Sequence, residues 1–260
     1  MDRLTKRQIR NIAALQQAGT RRDRNRFLIE GTLCVEEALH VGFPVESVFL
    51  TPEYRESESG KLIWETCRRN LVHIEEVSSG DLRRMSSQDH PQGVLAVGKC
   101  QEVSGDWIDS GEGILLVIPQ LSDPGNLGTI LRTAHAFDIR SIWIGDGTVD
   151  PWNPKVVRGS MGSLFHLRLH RTANLVNELK VLRTKEIQIY ALDSNGDTPV
   201  SEILPRPGKI ALVVGHEAEG IPNDLIALCD KRVLLGRPGA GVGSLNVAVA
   251  AGIVMYLLRQ

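Results

Sequence analysis

The stretch GILLVIPQLSDPGNLGTILRTAHA, residues 113–136, decides the fold class. GILLVIP (113–119) is a continuous apolar run, as in a strand buried on both faces of a parallel sheet. Asp123 and Pro124 then give a helix-start signal, and a helix is predicted over 125–137. Outward from this unit the alternation continues. RSIWIG (140–145), FHLRLH (165–170), IQIYAL (187–192), KIALVVG (209–215) and RVLLG (232–236) read as strands. Helices are predicted over 173–184, 222–228 and 244–259. Strands alternating with helices imply an α/β domain with a parallel sheet.

Upstream the same alternation occupies Phe27 to Cys100. FLIE (27–30), VESVFL (45–50), LVHIEE (71–76) and GVLAVGKC (93–100) read as strands. TLCVEEALHVG (32–42), ESGKLIWETCRRN (58–70) and SGDLRRM (79–85) read as helices, the last capped by Ser78 or Ser79. Residues 101–112, QEVSGDWIDSGE, are polar and glycine-containing and read as a linker. The expectation is two α/β domains, 1–104 and 111–260, both with parallel sheets.

Of the 260 residues, 42% are hydrophobic and 23% charged, which excludes collagen-like, low-complexity and disordered chains. No apolar run approaches the roughly 18 residues of a membrane span, and the start has no signal-peptide pattern. Cys34, Cys67, Cys100 and Cys229 form no C-x-x-C pair, which suits a reducing compartment and a cytoplasmic location. The net charge of −1 is unevenly spread, because residues 1–26 hold eight basic and two acidic side chains. Such a basic arm, with Arg21, Arg22, Arg24 and Arg26 at its end, is a footprint for a phosphate backbone. A solvated helix face would look the same.

Three segments of the second half carry candidate chemistry. In Ser122–Ala134, Asn126 and Arg132 are six residues apart, about 120° out of register on a regular helix. They share a face only if Asn126 lies in a non-helical entry turn; the plainer reading is an N-cap and a surface arginine. Val214–Pro222 (VGHEAEGIP) follows a strand, where open α/β sheets bind ligands. Its Gly215 and Gly220 permit close backbone approach and Glu217 offers an acceptor. The plainer reading is a strand-to-helix loop. Gly236–Val247 (GRPGAGVGSLNV) is glycine-rich before a helix but fails both nucleotide tests. Val242 stands where a Walker lysine must be, and the glycines do not space as G-x-G-x-x-G. The histidines show no metal-ligand pairing on a helix, and no G-x-S-x-G elbow is present.

Together and in this order, the segments resemble the SpoU/TrmH branch of the SPOUT (α/β-knot) RNA methyltransferases. The resemblance rests on N-x-G-x-I-x-R-T-A at Asn126–Ala134, G-x-E-x-x-G at Gly215–Gly220 and S-L-N-V at Ser244–Val247. Lys155–Gly162 (KVVRGSMG) adds a fourth match, and RNRFLIEGTLCVEEAL with HPQGVLAV resembles the family's ribosomal-protein-like substrate-binding domain. It implies a carboxyl-terminal parallel-sheet domain with a deep trefoil knot, S-adenosylmethionine as cofactor, a homodimer whose interface completes the site, and no metal. The implied reaction is methylation of a ribose 2′-hydroxyl.

By resemblance Arg132 acts on that hydroxyl. It either takes the proton or stabilises the developing alkoxide, and a guanidinium is a poor base. Asn126, Glu217, Ser244 and Asn246 complete the catalytic set. Gly215, Glu217, Gly220, Leu235, Gly236, Leu245 and Asn246 are expected at the cofactor, and Arg158 with the basic arm at RNA phosphates. The pattern departs from the family at Gly236–Pro238, at Ala248, where serine is common, and at Asp138, where glycine is common. The final helix ends at Gln260 without a basic tail, which points to ribosomal RNA ahead of transfer RNA. The alternatives are a catalytically silent RNA-binding protein and an ordinary nucleotide-binding α/β enzyme.

Overall fold

A computed structural model of the chain describes residues 4–102, 113–206, 208–236 and 245–260. The elements begin with α1 (Lys6–Ala13), α2 (Ala18–Arg24), β1 (Arg26–Glu30), α3 (Thr32–His40), β2 (Val45–Leu50) and α4 (Pro52–Arg55). They continue with α5 (Glu58–Arg69), β3 (His73–Glu76), α6 (Ser79–Met85), β4 (Val94–Lys99), β5 (Ile114–Leu121), α7 (Pro124–Ala136) and β6 (Ser141–Thr148). Then follow α8 (Pro154–Gly159), β7 (Arg168–Thr172), α9 (Leu175–Thr184), β8 (Gln188–Leu192) and β9 (Thr198–Pro199). The last are β10 (Ile210–Val214), α10 (Asn223–Ile226), β11 (Lys231–Leu234) and α11 (Val247–Arg259). No helix among the described residues is long and apolar enough to cross a membrane.

Two compact units result: Met1–Gln101 with Asp150–Phe165, and Glu102–Val149 with His166–Gln260. The expected linker at 101–112 falls at the first crossing but lies mostly outside the described residues. Sequence alone assigned 150–165 to the second half, whereas the segment packs with the first. Trp152 tilts against the Phe27 ring at 4.6 Å between centroids, and Phe165 against Phe43 at 4.9 Å. Arg21 pairs with Asp150, and Arg158 with Glu30.

The first unit holds a four-stranded sheet in the order β1-β4-β2-β3. The expected parallel sheet is corrected here, because β4 lies antiparallel between β1 and β2 and only β2 and β3 are parallel. Element alternation fixes connection lengths but not the slot a strand enters, and β4 enters between two earlier strands. The basic arm is itself folded: α1 starts at a capping box in which Thr5 and Gln8 satisfy each other's backbone N–H groups. Leu15 and Ile9 anchor the arm in a core with Leu28, Phe49, Leu82 and Leu95.

The second unit is built on a seven-stranded sheet, β7-β6-β5-β10-β8-β11-β9, in which every pairing is parallel. As the apolar run predicts, Ile114 to Ile118 are all buried, with neighbours on both faces of the sheet. Leu115 and Val117 meet Leu179, Leu182 and Ile189 in one core cluster. Asp138, where the family favours glycine, closes α7 in the left-handed region at φ 55°, the backbone state that makes glycine the usual choice there.

Candidate active site

Three connections leave the carboxyl ends of neighbouring or near-neighbouring parallel strands: Ser122–Asp123 after β5, Gly215–Pro222 after β10, and Leu235 onward after β11. Parallel strands present these ends along one edge, where open α/β sheets bind ligands. Asp123 caps α7 through its side chain, accepting from Asn126 N–H at 2.7 Å, and Pro124 occupies the first helical turn.

The Gly215–Pro222 loop folds back on itself. His216 N–H donates to Gly220 O at 2.8 Å, and Gly220 N–H donates to His216 O at 3.1 Å. The closure requires glycine at 215, since a Cβ there would lie 2.5 Å from the Gly220 carbonyl carbon. Gly220 turns the chain at φ 75° with open space where a Cβ would stand. His216 ties the loop down twice: its Nδ1 accepts from Ala218 N–H at 3.1 Å and Glu219 N–H at 3.2 Å. Its Nε2 lies 2.9 Å from Ser122 Oγ, on the β5 connection.

The loop delivers Glu217 to α7. Asn126 donates its Nδ2–H to Glu217 Oε1 at 2.9 Å, and Asn246 donates its own Nδ2–H to Asn126 Oδ1 at 3.0 Å. Asn246 Oδ1 meanwhile caps α11, accepting from Ala248 and Val249 N–H. Glu217, Asn126 and Asn246 thus form one chain of hydrogen bonds linking residues 91 and 120 positions apart in sequence. Burial pushes the Glu217 carboxyl up, but hydrogen bonds from Asn126 and from backbone N–H groups, with His216 nearby, outweigh it and hold the group below the ordinary glutamate value. The chain therefore presents a carboxylate, oriented by amides whose own partners fix their flips.

Of the expected site residues, Asn126, Glu217 and Asn246 come together. Ser244 lies outside the described residues. Arg132 is exposed midway along α7 and has no hydrogen-bond or ion-pair partner among the described residues. Asn126 is helical, not part of an entry turn, so the shared face with Arg132 is not realised within one chain. Leu235 is half-buried, Gly236 turns at φ 68° with open space beside it, and Leu245 is exposed just before α11. Backbone polar groups, two open glycine turns and an ionised carboxylate make a donor set that fits a nucleoside carrying a positive charge. His216 is the residue that sequence reasoning passed over. Its position inside the G-x-E-x-x-G motif was the available signal.

The arginines divide. Arg21 is 2% exposed and salt-bridged to Asp150, while also donating to the Leu15 and Gln16 carbonyls, so it is not a phosphate contact. Arg158 is likewise committed, to a Glu30 carboxylate only 1% exposed and to Ser87. The causes differ: Arg21 is itself buried and needs Asp150 as its counter-charge, whereas Arg158 neutralises the buried Glu30 carboxylate. Arg26 forms a two-pronged pair with Glu46. Arg22 and Arg24 remain exposed on α2, Arg24 holding only Asn11.

Comparison with known proteins adds the following. Residues 113–256 match the SpoU rRNA Methylase family, and residues 6–96 match an MRM3-like substrate binding domain. The chain is 33% identical to 23S rRNA (guanosine(2553)-2′-O)-methyltransferase RlmP of Bacillus subtilis, over 90% of this chain and 89% of that protein. It is 32% identical to 23S rRNA (guanosine-2′-O-)-methyltransferase RlmB of Xylella fastidiosa, over 75% of this chain and 80% of that one. Among solved structures, a putative RNA methyltransferase of the TrmH family from Porphyromonas gingivalis superposes with a TM-score of 0.82 at 30% identity, covering 99% of each chain. The SpoU methyltransferase AviRb from Streptomyces viridochromogenes, in complex with AdoMet, gives 0.85 at 25% identity over 98% of each chain.

Proposed function

The chain belongs to the SpoU rRNA methylase family, and from that membership we propose that it methylates a ribose 2′-hydroxyl of ribosomal RNA, using S-adenosylmethionine. The observation that carries the proposal is the Glu217–Asn126–Asn246 chain at the carboxyl edge of the parallel sheet. The names of the relatives, which act on 23S rRNA, support the choice of RNA. The match of residues 6–96 to a substrate-binding domain supports an RNA-gripping role for the first unit, through Arg22 and Arg24.

The cofactor, when bound, supplies an electrophilic methyl group on a sulfonium. Gly215, Gly220, Leu235, Gly236 and Leu245 would hold it by backbone groups, with Glu217 and Asn246. Asn126 and Asn246 orient the ribose, and Glu217 fixes Asn126. Arg132 stabilises the alkoxide that develops as the 2′-hydroxyl loses its proton, and holds the flanking phosphate. Alignment of nucleophile and methyl group supplies a large part of the rate.

The enzyme works as a homodimer through its knotted carboxyl-terminal domain. Support comes from α11, whose exposed Val249, Ile253 and Tyr256 recur at helical spacing along a groove of 370 Å3 shared with Thr129, Thr133 and Phe137. The separation of Arg132 from Asn126 on α7 supports a site completed by a second copy. The strand order supports the knot, with β10 placed between β5 and β8. Cysteines that form no disulfide among the described residues suit the cytoplasm.

The test is transfer of labelled methyl from S-adenosylmethionine to unmodified total RNA, with wild type and Arg132→Ala, followed by alkaline digestion. Label in alkali-resistant dinucleotides of ribosomal RNA, lost in the variant, is expected. Label on a base overturns the chemistry, and label confined to transfer RNA overturns the substrate. Failure of both transfer and cofactor binding leaves a silent RNA binder.

A further inference from the structure

His216 belongs to no part of the chemistry assigned so far, yet its ring bonds the Glu217 loop at one nitrogen and the β5 connection at the other. Its Nδ1 faces two backbone donors, Ala218 N–H and Glu219 N–H, at 3.1 and 3.2 Å. A nitrogen that accepts two N–H groups carries no proton. Neutral imidazole has its proton on the other nitrogen, so Nε2–H donates to Ser122 Oγ, 2.9 Å away. The ring is therefore a strut of fixed tautomer between the β10 loop and the β5 connection.

We infer that His216 is a positioning residue for the methyl transfer: accepting at Nδ1 and donating at Nε2, it holds the loop that presents Glu217 to Asn126. This rests on the function proposed above. An imidazolium would point an N–H at two N–H donors, so the cation cannot keep the loop hydrogen bonds. Glu217 Oε2 lies 3.6 Å from Nε2. On the same loop Glu219 accepts from Gln120 at 3.1 Å, and Asp123 N–H reaches Glu217 at 3.4 Å.

Two substitutions separate the two ends of the ring. His216→Asn places an amide oxygen where Nδ1 stands and keeps the loop hydrogen bonds while losing Ser122. His216→Gln reaches Ser122 and loses the loop. The expected result is a kcat about tenfold lower for His216→Ala and His216→Gln, with KM for RNA unchanged, and recovery to within about threefold in His216→Asn. An unchanged kcat in His216→Ala, or a kcat in His216→Asn no higher than in His216→Gln, overturns the inference. NMR of protein labelled with nitrogen-15 at histidine reads the tautomer without any turnover. A proton on Nδ1 at neutral pH refutes the strut whatever the reaction. The Nε2–H tautomer in a protein that transfers no methyl group would instead overturn only the proposed function.

Discussion

Asn126→Asp isolates one atom of the proposed site. The substitution keeps the side-chain shape and the bond accepted from Asn246 at 3.0 Å, but replaces the amide that donates to Glu217 at 2.9 Å with a carboxylate oxygen. Two like charges at that separation repel by about 6 kcal/mol at an effective dielectric of about 20. The site is partly open to solvent, so the usable figure is about 2–3 kcal/mol, comparable to a lost hydrogen bond to a charged group. That corresponds to a kcat lower by roughly 30- to 150-fold. The pH dependence carries the sharper expectation. In the wild type Glu217 sits below the ordinary carboxylate value, so its contribution is complete above that range and is lost as pH falls through the lowered value. In Asn126→Asp the paired carboxyls hold one proton more tightly, and that proton restores a donor between residues 126 and 217. The ratio of variant to wild-type rate should therefore rise as pH is lowered. Initial rates at saturating RNA and S-adenosylmethionine measure the ratio, and a thermal melt establishes that the variant is folded. A ratio that stays flat with pH, or a variant within about twofold of wild type, refutes the reasoning.

Gly215→Ala drives a Cβ to 2.5 Å from the Gly220 backbone, so urea denaturation should show a loss of about 1–3 kcal/mol together with weaker cofactor binding by calorimetry. Arg158→Met leaves the 1%-exposed Glu30 carboxylate unpaired and should cost about 3 kcal/mol; adding Glu30→Gln should recover more than half of it, which a pure RNA-contact role would not do. Arg22→Ala with Arg24→Ala should lower RNA affinity and flatten its salt dependence at unchanged stability. Arg21→Ala should instead destabilise the fold, because Asp150 loses its partner. Mixing Arg132→Ala with Asn126→Ala protomers should restore methyl transfer that neither has alone if a second copy completes the site.

Local pattern carried most of the architecture. The apolar run at 113–119 and the Asp123–Pro124 start determine where β5 ends and α7 begins, and both are properties of neighbouring residues. The motifs also located Asn126, Glu217 and Asn246. Their direct hydrogen bonding is a tertiary fact, however, whereas the six-residue spacing already put Arg132 out of register with Asn126 on a regular helix, and Asn126 is helical. Long-range pairs were illegible for the same reason. Arg21 meets Asp150 across 129 residues and Arg158 meets Glu30 across 128, and nothing in a basic run distinguishes a buried cation from a solvated one. Strand direction in the first sheet was hidden too, since β4 reads identically whichever way it enters.

The placement of Asp150–Phe165 in the first unit bears on how such a gene could be rearranged. The polypeptide passes between the two units three times, after residues 101, 149 and 165, so neither unit is encoded by one uninterrupted stretch. Recombination at the linker would strand Trp152, Phe165 and the carboxylate of Asp150 on the wrong product, and would leave Phe27, Phe43, Arg21 and Glu30 without the groups that cover or neutralise them. Such halves are inherited together or not at all, and an accessory unit interleaved in this way cannot be exchanged for another by joining ends at the linker alone.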